Sequence, residues 1–450
     1  MTLYSQLFGD PAIAEHFSET ATLQAMLDVE VALAEACGSA GLVPSRCLTA
    51  IKAAGNARDY DLAAIRRETA QAGNAAIPLV RALTEKVAAR DAEASRYVHI
   101  GATSQDVIDT ALVLALRNAL PHIIAEITRA ESAAARHASA HRDTPIAGRT
   151  WLQQATPTTF GVKAAGWLDA LGRGRSPIEQ RASEMFVLQF GGASGTLSSI
   201  GPAARAVSED LGKRLGLAVP DIPWHAHRDR QARLACALAV LTGTLGKIAT
   251  DLVLLGQTEV GEAVEQRSSG GGSSAMPHKH NPVSAAVALA AAVRVPGLVA
   301  SLLGGMLNPH ERGIGGWQAE WEVMPELVVL VAGAARSIAD ALDHLVVDPG
   351  RMAANLALTG GLTQSESVVA ALTPHLGRPE AYRVVQAACD RAIAERRPLG
   401  QILENDPVVS RALSKDAIAR CLTPAENVGD AGGMVDRVLA TWRRRGSDHA

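Results

Sequence analysis

Apolar residues recur at helical spacing along most of the chain. Ile108, Ala111, Leu112, Ala115 and Ala119 share one face at three- and four-residue offsets, and Leu327, Val331, Ala334, Ile338, Leu342 and Leu345 repeat the pattern. The spacing predicts long helices over about 105–135, 157–187, 229–266, 282–308 and 317–346, each well beyond the ~11–12 residues of an average helix. Five such helices in series predict a bundle. Ala, Leu and Val occupy more than one face of each, so the helices are expected to pack against other subunits as well.

Shorter elements flank this region. Residues 1–104 read as brief helices separated by Gly38, Gly41, Pro44, Gly55, Gly73 and Pro78. Asp348-Pro349-Gly350 is a strong break, after which Pro374, Gly377, Pro379, Pro398, Pro407 and Pro424 punctuate short helical runs. The Arg443–Arg445 cluster at their end reads as a solvated helix terminus. The expected organisation is all-α, with an N-terminal helical domain over 1–104, a central long-helix bundle over 105–348 and a C-terminal helical domain over 349–450.

Composition narrows the chemistry. Aromatic residues are 3% of 450, so the cores must be built from small and aliphatic side chains, which pack best between helices. Lys and Arg number 43 against 46 Asp and Glu, a net charge of −3 that excludes a generally basic nucleic-acid binder. Cys37, Cys47, Cys236, Cys389 and Cys421 are scattered and never in a CxxC spacing, which argues against a disulfide framework or a thiolate zinc site. Nothing in Met1–Asp10 reads as a signal peptide. The apolar runs Ala285–Val293 and Leu327–Ala335 stop at Arg294 and Arg336, short of the roughly 18 residues a membrane span needs. A cytoplasmic protein engaging neither membrane nor nucleic acid is expected.

Four segments carry candidate chemistry. Ser268–Pro282 opens with a Gly/Ser run, then places Ser273, Ser274, Lys279 and Asn281 just before a helix. Such a loop can close over a ligand and deliver its serine when the ligand is present, and Lys279 with Asn281 suits gripping a carboxylate. His99–Asp106 leads into the helix containing Ile108; Thr103 and Asp106 form a candidate capping box, and with Ser104 the first turn makes an anion site. Gly148–Pro157, with Trp151 and Gln153, places polar groups ahead of an expected Pro-initiated helix. Trp224–Asp229 carries His225 and His227, an H-x-H like His278 and His280, but no acidic or cysteine partner stands at metal-site spacing. Ligand contacts or plain surface positions are the two readings for these histidines.

Gly272–Pro282 resembles the hallmark of the fumarase/aspartase superfamily, which includes argininosuccinate and adenylosuccinate lyases. Gly101-Ala102-Thr103-Ser104, Gly148-Arg149-Thr150-Trp151-Leu152-Gln153 and Gly192-Ala193-Ser194-Gly195-Thr196 occupy the order of its other blocks. The resemblance implies three helical domains and a homotetramer whose active sites combine blocks of different subunits. It also implies chemistry at the bond β to a carboxylate through a stabilised carbanion, which needs a base and donors on the carboxylate. By resemblance Ser273 is the catalytic group of the loop, aided by Lys279, while Asn281, Ser274, Thr103, Ser104 and Gln153 bind substrate. Arg312, in the position of a substrate-binding arginine, His99 and His225 are further candidates for a polyanionic substrate.

One departure divides the superfamily. Its lyases carry a histidine where this chain has Trp151, which cannot exchange protons. Without that histidine, expulsion of an amine or hydroxyl should lose a factor of about 10²–10⁴. A carboxylate needs no such help, because its conjugate acid has a pKa of roughly 4. Together with Ala72–Val80, Trp151 makes the chain similar to the lactonising branch, the 3-carboxy-cis,cis-muconate cycloisomerases. That likeness implies intramolecular addition of a carboxylate to a double bond, giving 4-carboxymuconolactone in the protocatechuate branch of the β-ketoadipate pathway, with no metal or organic cofactor. Two alternatives stay open: a lyase releasing fumarate from adenylosuccinate or argininosuccinate, and a non-catalytic scaffold of the same fold.

Overall fold

The structure of the chain, a computed structural model, describes residues 3–266 and 271–447. Helices dominate, as the periodicity predicts. Helix α1 (Glu19–Ser39) starts where Ser18 Oγ accepts from Ala21 N. Five long helices follow: α2 (Ser104–Ala140), α3 (Phe160–Met185), α4 (Asp229–Leu255), α5 (Val283–Gly304) and α6 (Gly316–Asp343). The named strands among the described residues form two antiparallel ribbons. One pairs β1 (Pro145–Thr150) with β2 (Gln153–Thr159), the other β3 (Ala263–Glu265) with β4 (Leu345–Val347).

The second ribbon corrects two expected helix ends. Helices read through 266 and 346 stop at Leu255 and Asp343, and Ala263 and Glu265 pair instead with Val347 and Leu345. A pairing between segments so distant leaves no trace in local periodicity.

Burial follows the expected face on α6, where Leu327, Val331, Ala334, Ile338 and Leu342 are fully buried. On α2 the expected face is only part of the contact surface: Ile108, Leu112 and Ala115 are half-buried, whereas Val107, Thr110, Val113 and Leu116 are fully enclosed. The helix is surrounded on most sides, and that is why polar residues on it are buried.

The absence of long apolar segments expected from the sequence is also corrected. α2, α4 and α5 are long and apolar enough to cross a membrane by length and composition alone. A charge that ends an uninterrupted run does not end a helix, so the apolar stretches continue past it. Within the chain 61%, 50% and 33% of their most apolar windows are buried, which leaves α5 the most open.

The chain divides into two compact units. The first comprises Met1–Ile127, Gly174–Leu245 and Val287–Arg336, the second Thr128–Arg173, Gly246–Ala286 and Ser337–Ala450. In the second, Asp348 accepts from Arg351 N and caps α7 (Pro349–Ala357), so the Asp-Pro-Gly break is also a helix start. The later helices of that unit share a core of Val368, Leu372, Val385, Leu399, Ile402, Val409 and Ile418.

Candidate active site

In the first unit the candidate residues gather around one carboxylate. Asp106, on the first turn of α2 and 1% exposed, accepts four hydrogen bonds. Its Oδ1 takes Gly191 N at 3.0 Å and His225 Nε2 at 2.6 Å; its Oδ2 takes Gly192 N at 2.9 Å and Thr103 N at 3.0 Å. All the acceptor capacity of the carboxylate is used, so its burial is compensated. It ties the Gly101–Ser104 block to the Gly192–Thr196 block.

Half of the expected capping box is present. Asp106 reaches back to Thr103 N, but Thr103 Oγ1 accepts from Arg312 Nη1 at 3.1 Å, and Arg312 Nη2 donates to Gly192 O at 3.0 Å. The threonine hydroxyl therefore holds an arginine rather than the helix end. His225 is buried at 4% exposure, which overturns the surface reading for it. His99 sits with Nδ1 2.5 Å from Glu30 Oε1. Burial disfavours charge on its ring, but Glu30, and then Asp106, outweigh burial and raise its pKa above the ordinary value.

Behind this cluster lies an ionic core. Arg228, almost fully buried, donates to Asp109 from Nη1 at 2.7 Å and Nη2 at 3.0 Å, and to Glu320 from Nε at 2.9 Å. Trp317 Nε1 donates to Asp109 at 2.9 Å, and the guanidinium lies 4.9 Å from the Trp224 ring centre. Burial pushes the Glu320 carboxyl above its usual range, against the pull of Arg228.

The second unit carries the other candidates on two projections. β1 and β2 form a hairpin whose two-residue turn is Trp151-Leu152, with φ of 52° and 62°. The expectation of a Pro-initiated helix here is corrected. Pro157 lies in β2 opposite Ala147, and the helix begins at Phe160. A two-stranded ribbon has free edges, where the missing N–H of proline costs no ladder bond. Gly148 sits at the irregularity in β1, and a Cβ there would stand 2.6 Å from Thr156 O. Arg149 is drawn inward to Glu262, with bonds of 2.8 and 2.7 Å; Glu262 is fully buried and also accepts from Asn355 Nδ2 at 2.8 Å. The tip is left open, with Trp151 97% exposed and Gln153 exposed beside it.

The second projection is the Gly/Ser loop. Ser268–Gly270 of the expected segment lie outside the described residues. From Gly271 the loop closes on itself: Asn281 N donates to Gly271 O at 2.7 Å, and Gly272 bridges His280. A Cβ on Gly271 would meet Asn281 O at 2.7 Å, and φ there is +75°, so the closure requires glycine. Ser273 Oγ accepts from Ala275 N at 3.3 Å and Met276 N at 3.1 Å. Donors aimed at this oxygen favour negative charge on it. Ser274, Lys279 and Asn281 are exposed. Ser284 Oγ donates to Glu265 Oε1 at 2.5 Å and pins the loop where it returns to α5.

His99, Thr103, Ser104, His225 and Arg312 thus belong to the first unit, and Trp151, Gln153, Ser273, Ser274, Lys279 and Asn281 to the second. Among the described residues no group of three or more His, Cys, Asp or Glu is placed to hold a metal ion. Sequence reasoning missed Glu30 and Glu262, and took Asp106 for a cap only. The available signal was acid placed among buried apolar neighbours, as Glu30 is between Leu27 and Leu33.

Residues 9–297 match the family described as lyase, and residues 361–438 match the adenylosuccinate lyase C-terminus. The chain is 49% identical over 439 residues to a 3-carboxy-cis,cis-muconate cycloisomerase of Pseudomonas aeruginosa, covering 97% of this chain and 96% of that one. It is 41% identical over 431 residues to a nitrosuccinate lyase of Streptomyces davaonensis, covering 94% and 91%. The crystal structure of 3-carboxy-cis,cis-muconate lactonizing enzyme from Pseudomonas putida matches with a TM-score of 0.94 and 46% identity, covering 98% of this chain and 99% of that one.

Proposed function

The chain belongs to the lyase family, the fumarase/aspartase superfamily that its motifs resemble, and from that premise we propose that it is a cycloisomerase acting on 3-carboxy-cis,cis-muconate. A carboxylate of the substrate adds to a double bond of the same molecule, one C–O bond forms, and the adjacent carbon takes a proton. The product is 4-carboxymuconolactone, and the one proton consumed comes from solvent through the site.

The observation that carries this reading is the hairpin tip. Trp151 and Leu152 cannot exchange protons, and Arg149, the ionisable group of the block, is turned to Glu262. Such a tip suits a carboxylate as the group added or expelled and leaves an amine unassisted. Arg312, His99, His225, Thr103 and Ser104 bind carboxylates of the substrate in this reading, and Gln153, Ser274, Asn281 and Trp151 complete the pocket. Lys279 stabilises charge on the aci-carboxylate and on Ser273. The two N–H groups on Ser273 Oγ support a serine that moves a proton to the carbanion carbon, directly or through a water it orients.

The active site forms when copies assemble as a homotetramer, with the hairpin and loop of some copies meeting the Asp106 cluster of another. The exposed apolar side chains of Val240 (67%) and Val293 (81%) on α4 and α5 support such packing. A cytoplasmic location belongs to the same reading.

Nitrite, like a carboxylate, leaves without acid assistance, so elimination of nitrite from nitrosuccinate is a second reading favoured by the relative of that activity. The test is product identification by NMR. Purified protein in chelator is offered 3-carboxy-cis,cis-muconate, nitrosuccinate, adenylosuccinate and argininosuccinate separately. Lactone from the first alone is expected. Fumarate from either of the last two would overturn the reading of Trp151.

A further inference from the structure

We propose that Glu30 is a positioning residue for the reaction: it fixes His99 as the cationic donor for a substrate carboxylate. The identity of that carboxylate rests on the function proposed above.

Glu30 lies on the buried face of α1, 2% exposed, where an ionised carboxylate is costly unless it is paired. Its Oε1 is 2.5 Å from His99 Nδ1, while its buried Oε2 has no partner among the described residues. Compensation of the buried charge therefore falls on His99 alone. The short contact is that of a charge-assisted pair, with the imidazole donating from Nδ1.

The backbone at His99 agrees with a residue held by its side chain. Its φ is +59°, a left-handed conformation that a histidine adopts only at a cost, and Gly101 two residues on has φ +75°. With Nδ1 committed, Nε2 accepts or donates no hydrogen bond among the described residues, and the side chain is 21% exposed. The bond made by one ring nitrogen sets the state of the other, so Glu30 presents Nε2–H outward.

The charged groups around the ring are Glu30 from α1 and Asp106 from α2, with His225 on Asp106 and Arg312 on Thr103 at one remove. The two carboxylates overcome the effect of burial and favour the protonated ring above its ordinary 6.5. The pairing with Glu30 thus offsets the burial that opposes charge on His99 and favours a ring that donates from both nitrogens.

Glu30→Gln keeps an oxygen for Nδ1–H and removes the charge, so protonation of His99 should then require lower pH. The expected result is a KM for 3-carboxy-cis,cis-muconate at least about threefold above wild type at pH ~6.5 that converges on wild type at pH ~5.5, with kcat little changed. An equal excess at both pH values, or a loss confined to kcat, would mean a merely structural role and overturn the proposal.

A second measurement needs neither the variant nor the substrate. NMR titration of the wild-type histidines, with His99 assigned from the spectrum of His99→Gln, should give a His99 midpoint above 6.5. A midpoint at or below that value overturns the proposal even where Glu30→Gln does not fold. Failure of wild type to form lactone would overturn the functional reading instead and would leave the titration to decide on the Glu30–His99 pair.

Discussion

Arg228 provides the sharpest test of how the site is held. Its guanidinium serves two buried carboxylates, Asp109 and Glu320. Arg228→Met would strip both of their cation, but not equally. Asp109 keeps neutral donors from Trp317 at 2.9 Å, Gln105 at 3.2 Å and Gln189 at 3.3 Å, whereas the hydrogen bonds of Glu320 come from Arg228. Glu320 should therefore escape by taking up a proton. Protonating a carboxyl of ordinary pKa ~4.3 at pH 7 costs about 4 kcal/mol, and about 1 kcal/mol at pH 5, at about 1.4 kcal/mol per pH unit. That bound agrees with the ~3–5 kcal/mol typical of breaking a buried ion pair from one side.

The sign follows from proton counting. In the variant the folded-state pKa of Glu320 lies above its unfolded value, as burial already drives it in the wild type. The folded state then binds more protons between those two values, so stability falls as pH rises through that window. Hydrogen exchange of peptides from the start of α2 and α4 reads local opening of this unit. The expected loss is ~4 kcal/mol at pH 7 and ~1 kcal/mol at pH 5, with most of the neutral-pH loss relieved in Arg228→Met/Glu320→Gln. A loss below about 1 kcal/mol at pH 7, or one equal at both pH values, would refute the reasoning.

Ser273→Ala should lower kcat by about 10²–10⁴ with a small effect on KM; near-normal turnover would remove the serine from proton transfer. Glu262→Gln leaves Arg149 without its charged partner, at a cost of ~1.5–3 kcal/mol for charge-assisted hydrogen bonds, and faster amide exchange in β1 and β2 should accompany reduced turnover. Unchanged exchange would show that the pair does not hold the hairpin. Gly148→Ala places a Cβ 2.6 Å from Thr156 O, a backbone atom that cannot swing aside. A thermal unfolding shift equivalent to ~1–3 kcal/mol is expected, and a change under ~0.5 kcal/mol would mean the bulge tolerates a side chain.

What the sequence revealed depended on how local each cause is. The long helices were legible because three- and four-residue apolar spacing is written into every turn, and α6 buries the very positions that show it. The Ser273, Thr103 and Gln153 blocks stood out because Gly, Ser, Thr and amide residues cluster where helices of Ala and Leu would otherwise continue. The β1–β2 hairpin was hidden for two reasons. Pro157 has the look of a helix start, and the turn residues Trp151 and Leu152 lack the Asn-Gly chemistry that normally marks a turn with positive φ. Asp106 showed as a cap because its partner Thr103 is three residues away. Its bonds to Gly191, Gly192 and His225 arise only when distant segments meet. Glu30 was hidden the same way, since its partner His99 lies on another segment.

The most direct test of the cycloisomerase reading follows the atoms. 3-Carboxy-cis,cis-muconate is turned over by the protein in H₂¹⁸O and, separately, in D₂O, and the product is examined by mass spectrometry and NMR. Intramolecular addition predicts a lactone that gains no ¹⁸O and carries one deuterium, on the carbon next to the new C–O bond. An ¹⁸O atom at the carbon attacked would mean that water, not the substrate's own carboxylate, is the nucleophile, and would contradict the reading.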